Sequence, residues 1–327
     1  MRFPTLTDAE RLARLELPAG KLRMVLDTDT YNEIDDQFAV VYSLLSPERL
    51  AVEALYAAPF SNDRAADPAD GMEMSYQEIL RLLERLGRSP EGLVHRGSTA
   101  YLPGPETPVR SAAAEDLVQR ALAGPDPLYV VAIGAITNVA SAILMEPEII
   151  KHMVVVWLGG HALHWRNTVE FNLMQDVPAS RLIFDCGVPL VHIPCKGVTT
   201  HLRTTIAELE RYAKGAGAIG DYLVHIFSTY EESAYGMAWS KEIWDVATIA
   251  YLIDEAWVPT DIVHSPIVTD QLTWSFDNSR HLIRSARYID RDPVLRDLFT
   301  KLRAQAEHTP PWHARRSQSG AAAHSFM

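Results

Sequence analysis

The feature that most limits the fold is an alternation. Apolar runs recur along the chain, and each gives way to a segment of helical periodicity. Leu22–Leu26, Leu50–Phe60, Gly92–His95, Leu128–Gly134, Met153–Gly160 and Leu190–Pro194 read as strands. The runs LYVVAIG and MVVVWLGG are apolar throughout, which marks strands buried on both faces. Ile34–Leu45, Tyr76–Leu86, Ala112–Ala123, Asn138–Leu144 and Pro178–Phe184 read as helices, as do most of 205–232 and Ile243–Ile253. The helix at Ile34 is expected to stop before Ser46-Pro47, because proline disfavours helical backbone at its predecessor. Strand-helix-strand order needs crossover connections, hence a mainly parallel sheet. The predicted fold is α/β and Rossmann-like, with helices on both faces. One domain is expected over 1–305, with 306–327 as a flexible C-terminal tail of no periodicity. A short polar helix or arm is expected in the first twenty residues. Late in the chain, Leu272–Phe276 and His281–Tyr288 read as a β-hairpin turning at Asp277-Asn278-Ser279, and Pro293–Ala304 as a closing helix.

Composition then narrows the function. With 47% hydrophobic residues in 327, a sizeable core is available. Asp and Glu number 42 against 30 Lys and Arg, a net charge of −12. That balance argues against nucleic-acid or anionic-membrane partners. No apolar run approaches the ~20 residues a membrane helix needs, and the first residues lack the apolar stretch of a secretory signal. Cys186 and Cys195 cannot form a disulfide framework, so a reducing, cytoplasmic compartment is expected.

In open parallel sheets, ligands bind beyond the C-terminal strand ends. The residues there are Asp27, Asp29, Asn62, 134–138 and 159–164. The densest chemistry is LDTDTYNEIDD, which places Asp27, Asp29, Glu33, Asp35 and Asp36 together. Asp27 and Asp29 share strand parity, so both are expected to face one way. Asp35 and Asp36 fall in a helix's first turn, where the dipole favours anions. Converging carboxylates repel and raise one another's pKa, and a divalent cation removes that repulsion. Oxygen donors suit Ca²⁺ or Mg²⁺, and calcium's loose shell leaves room for substrate hydroxyls. Helix capping alone accounts poorly for so much charge, and the spacing is not that of an EF-hand. Asp27-Thr28-Asp29 also resembles the D-x-D-x-T/V motif of haloacid-dehalogenase-like phosphatases, but Tyr31 stands where Thr or Val is needed. A Mg²⁺-dependent phosphohydrolase is therefore an alternative.

The same block resembles the N-terminal signature of the inosine–uridine-preferring nucleoside hydrolases, with a loop (30–34) longer by two residues. Four more segments match in order: Asn62 after the second strand, 132–138 (AIGAITN), Glu170-Phe171-Asn172 with Asp176 and Ala179, and Trp244-Asp245 at a helix start. The resemblance covers roughly residues 22–305. It implies hydrolysis of the N-glycosidic bond of a ribonucleoside, and one Ca²⁺ held by Asp29, Asp36, Asp245 and the backbone carbonyl of Thr137. It further implies Asp29 as general base, and ribose contacts from Asp35, Asn62, Asn167, Glu170 and Asn172. It also implies a homodimer or homotetramer. Family members commonly carry a leaving-group His before the late Asp, where this chain has Trp244. His161, His164, Tyr31 and Tyr235 are the candidate replacements, and Tyr230, Tyr235, Trp239 and Trp244 the candidates to stack on a base. Lack of an acid leaves open a nucleoside- or ribose-binding homologue of weak turnover.

Overall fold

A computed structural model describes residues 2–230 and 236–308. Its strands are β1 (Leu22–Thr28), β2 (Leu50–Ala57), β3 (Val94–Arg96), β4 (Leu128–Ala132), β5 (Met153–Leu158) and β6 (Leu190–Ile193). They continue with β7 (Arg203–Thr204), β8 (Lys241–Glu242), β9 (Thr260–His264), β10 (Ile267–Val268), β11 (Trp274–Ser275) and β12 (Leu282–Ala286). Eight form one sheet in the order β3-β2-β1-β4-β5-β6-β12-β9. All neighbours pair in parallel except β9, which runs antiparallel along β12. The expected Rossmann-like, mainly parallel sheet is present.

Side-chain alternation explains why helices cover both faces. Along β5, Val154, Val156 and Leu158 join one apolar cluster with Phe38, Tyr42 and Tyr251. Met153, Val155 and Trp157 join the other, with Ile143 and Phe184. A strand with two apolar faces needs a helical layer on each.

Several boundaries differ from expectation for local reasons. The helix expected at Tyr76 starts at Pro68, capped by the Asp67 carboxylate, which accepts from Asp70 N. Near its start Gly71 lies against the Phe60 backbone, where a Cβ would come within 1.9 Å of the carbonyl oxygen. The helical stretch from 205 is two helices, Ile206–Tyr212 and Gly217–Ser228, separated at Gly215 and Gly217 with φ of 76° and 71°. Its end, like Tyr235, falls outside the described residues. The helix expected from Ile243 begins at Val246, because Lys241–Glu242 pairs with β7. The closing helix runs Arg291–His308, so residues 306–308, expected in the tail, are helical, and the rest of that tail lies outside the described residues.

The late hairpin is a correction. Residues 281–288 do not pair with 272–276. β12 enters the main sheet between β6 and β9, while β11 pairs with β10. Two strand partners for Leu282–Ala286 outweigh one short turn at Asp277.

His192 on β6 is buried and neutral. Its Nε2 donates to the Gly159 carbonyl at 2.8 Å, and its Nδ1 accepts from the Ser285 hydroxyl at 3.3 Å. Burial pushes its pKa down to about 4. The unfolded chain then binds more protons below the ordinary ~6.5, so stability rises with increasing pH through the window from about 4 to ~6.5 and is lost as the solution is acidified. The full effect is roughly 3 kcal/mol at 1.4 kcal/mol per unit. Urea midpoints measured at several pH values should show that slope, shallower in His192→Gln. An unchanged slope refutes the assignment.

Candidate active site

β1, β4 and β5 lead at their C-terminal ends to one cavity of about 180 Å³. Six carboxylates line it: Asp29, Glu33, Asp35, Asp36, Glu170 and Asp245. Asp29 follows β1 directly and is 1% exposed. Neither of its carboxylate oxygens has a hydrogen-bond partner among the described residues. Gly134, just past β4, makes room for it: a Cβ there would lie 2.8 Å from Asp29 Cγ. Asp35 and Asp36 open the helix Asp35–Leu44, and Asp36 Oδ1 accepts from Thr28 Oγ1 at 2.5 Å. Asp245 precedes the helix Val246–Ile253. Asp35, Asp36 and Asp245 present oxygens within 4.8 Å of one another. Asp29 lines the same cavity outside that trio.

Such crowding is electrostatically unfavourable. Burial, and then the charge of Asp35, pushes Asp36 up to about 8. Burial raises Asp35 to about 6, although Lys241 pulls the other way. Asp245 and Asp29 are both raised, by burial first and then by their acidic neighbours. Buried carboxylates with unpartnered oxygens form a donor set that suits a hard divalent cation.

Glu170 caps the helix Phe171–Gln175. Its carboxylate accepts from Asn172 N at 3.0 Å, Leu173 N at 3.1 Å and Gly160 N at 2.7 Å. Asn172 Nδ2 donates to the Ile133 and Leu158 carbonyls, tying the ends of β4 and β5. Both line the cavity.

Other predicted residues sit elsewhere. Asp27 accepts from Asn138 Nδ2 at 2.7 Å, and burial lifts it to about 7. It lies outside the cavity lining, so shared parity with Asp29 did not bring the two together. Asn62 donates to Asn32 Oδ1 at 2.8 Å and caps Arg64 N. Asn167 Oδ1 accepts from Val169 N at 3.3 Å. Thr137 donates its hydroxyl to Asp176 at 2.7 Å. These three do not line the cavity. His161 and Trp244 do, His164 and Tyr31 do not. Burial lowers His161, and its Nδ1 faces Lys196 N at 3.4 Å. Trp239 packs on Phe227 at 5.0 Å between centroids. Asn32 and Lys196 line the cavity unforeseen. Asn32 lies in the lengthened loop, and Lys196 follows β6, so the strand-end rule covers Lys196.

Residues 24–295 match the family model described as inosine-uridine preferring nucleoside hydrolase. The chain belongs to this family. The probable uridine nucleosidase 2 of Arabidopsis thaliana is 26% identical over 228 residues, 64% of this chain and 69% of that one. The pyrimidine-specific ribonucleoside hydrolase RihA of Citrobacter koseri is 25% identical over 246 residues, 67% of this chain and 76% of that one. The purine-preferring ribonucleoside hydrolase from Gardnerella vaginalis shares the fold, with a TM-score of 0.69 at 21% identity, covering 88% of this chain and 100% of that one. As a nucleoside hydrolase, the protein acts on N-glycosyl bonds, and the phosphohydrolase alternative is set aside.

Proposed function

We propose that this nucleoside hydrolase cleaves ribonucleosides or closely related N-ribosides with Ca²⁺ as its metal. The observation that carries the reading is the convergence of Asp29, Asp35, Asp36 and Asp245, from opposite ends of the chain, on one cavity. Asp29, Asp36 and Asp245, which line the cavity, would hold the ion, and the Thr137 carbonyl, outside its lining, joins them on the family resemblance alone. Bound there, calcium supplies orientation of the ribose diol and acidification of a water. Asp29, its oxygens otherwise unpartnered, takes the water's proton. The water oxygen bonds to C1′, and the C1′–N bond breaks with its electron pair to the base nitrogen. Asp35, Glu170 and Asn172, which line the cavity, are assigned to the ribose, and Asn62 and Asn167, outside its lining, are assigned to it on the family resemblance alone. Glu170 and Asn172, fixed by backbone hydrogen bonds, offer negative charge and dipole to the cationic sugar of the transition state.

The leaving base is served differently from a His-bearing site. Trp244 donates a hydrogen bond at most. Burial lowers the pKa of His161, so it carries a proton to give less often than an ordinary imidazole. Self-association as a dimer or tetramer and a cytoplasmic setting are further parts of the proposal; the two buried free cysteines accord with a reducing compartment. No helix among the described residues is long and apolar enough to cross a membrane.

The test is incubation of calcium-loaded protein with a nucleoside panel, reading free ribose and base. Ribose release is expected, with 2′-deoxynucleosides slower by ~100-fold or more, as for loss of a contact strengthened in the transition state. Binding without products indicates the weak-turnover homologue, and equal rates on deoxy substrates refute the diol contact.

A further inference from the structure

A second cleft of about 540 Å³ adjoins the acidic cavity and shares Glu33 with it. Its chemistry is opposite. Three arginines line it, each over a tyrosine ring: Arg85 4.0 Å from the Tyr222 centroid, Arg64 5.7 Å from Tyr230 and Arg81 6.0 Å from Tyr31. Stacked guanidiniums keep their edge N–H groups for an anion. Among the described residues only Arg81 meets a carboxylate, that of buried Glu78. Glu78 also accepts from the Tyr222 hydroxyl at 2.5 Å. The cleft's other acid, Glu33, is paired with Lys241. Arg64 Nη1 donates to the Tyr31 carbonyl at 3.3 Å, and Arg85 Nη1 to the Arg81 carbonyl at 2.9 Å. Neither meets an acid among the described residues, in a chain whose net charge is −12.

The wall between cavity and cleft is the lengthened loop. Tyr31 has φ of 92°, unusual for a non-glycine residue. Asn32 N, donating to the Asp29 carbonyl at 2.9 Å, and Arg64, on the Tyr31 carbonyl, hold it there. A neutral nucleoside gives Arg64 and Arg85, which meet no acid among the described residues, no charge to pair with.

We propose that this cleft is an anion subsite, and that the substrate is an N-riboside carrying a phosphate or a carboxylate. The proposal rests on the hydrolase reading above. The glycosidic bond lies at Asp29 while the anion reaches past Glu33 to Arg64 and Arg85. The anion has two possible sources, a 5′-phosphate on the ribose or a carboxylate on the base.

Calcium-loaded protein is assayed with uridine, uridine 5′-monophosphate and orotidine, the last bearing a carboxylate on its base. One anionic compound should exceed uridine in kcat/KM by ~10-fold or more, the scale of a charge-assisted contact. That advantage should shrink as salt rises. Whichever compound wins identifies the source. Arg85→Gln and Arg64→Gln should each cut the ratio of anionic to neutral rate ~10-fold, and Arg287→Gln, elsewhere on the surface, should not. Both anionic compounds at or below uridine, or a ratio indifferent to the cleft arginines, overturns the subsite. If none of the three is cleaved, the hydrolase reading fails for pyrimidine ribosides, and calorimetric titration still decides the subsite. Tighter binding of an anionic compound, lost in Arg85→Gln, supports it; equal binding overturns it.

Discussion

Replacing Asp29 by alanine should reduce ribose release by ~10³-fold or more, with the fold intact. Loss of a general base alone is worth ~10²–10⁴, and the same side chain is assigned to the metal. Asp29 is well suited to show a clean effect. Its oxygens meet no N–H or hydroxyl donor among the described residues, so its removal leaves no donor stranded. Taking a buried charge out of a crowded site relieves repulsion, so thermal stability without metal should hold or rise. Steady-state rates on uridine, with a melting curve beside them, check both halves. Activity near the parent rate would remove Asp29 from the role of base and leave the reaction without one in this cavity.

Calcium should raise the melting temperature of the parent protein markedly. A ligand at 100 times its dissociation constant stabilises by ~2.7 kcal/mol, which for a chain of this size corresponds to roughly 5 °C. Asp36→Asn and Asp245→Asn should abolish the increment. Before calcium is added, both variants should melt at or above the parent, because each loses one of several mutually repelling carboxylates. The combination of a neutral or favourable effect without the ion and a lost increment with it is a signature no ordinary structural residue gives. Chelation of metal-loaded parent should reverse the shift. An increment that survives in both variants places the cation elsewhere.

Much of the architecture was readable because the parallel strands are buried on both faces and written as unbroken apolar runs. The acidic cluster was equally plain, since Asp29, Asp35 and Asp36 lie within eight residues of one another. Asp245 needed the family resemblance, because pattern and propensity say nothing of which distant helix start meets β1. Sequence parity misled on Asp27: it lies within β1 and turns to Asn138, whereas Asp29 lies past the strand end. The late strands failed for a related reason. Local turn chemistry at Asp277 pointed to a hairpin, but pairing was decided by β6, some ninety residues away in sequence. The arginine cleft left no mark in the linear pattern. Its cations come from two segments, Arg64 from a loop and Arg81 and Arg85 from the helix Pro68–Leu86, and each alone resembles an ordinary solvated side chain.

The insertion of β12 beside β6 also bears on how the chain is made. On the ribosome, β6 emerges long before residues 282–286, so its outer row of amide and carbonyl groups stays bare through a long stretch of translation. The nascent protein carries a sticky flank until Leu282–Ala286 arrive, and any product that terminates short of Leu282 keeps that flank for good. Truncated forms of this protein should therefore collect in the insoluble fraction, even though the catalytic carboxylates and most of the sheet are already present in them.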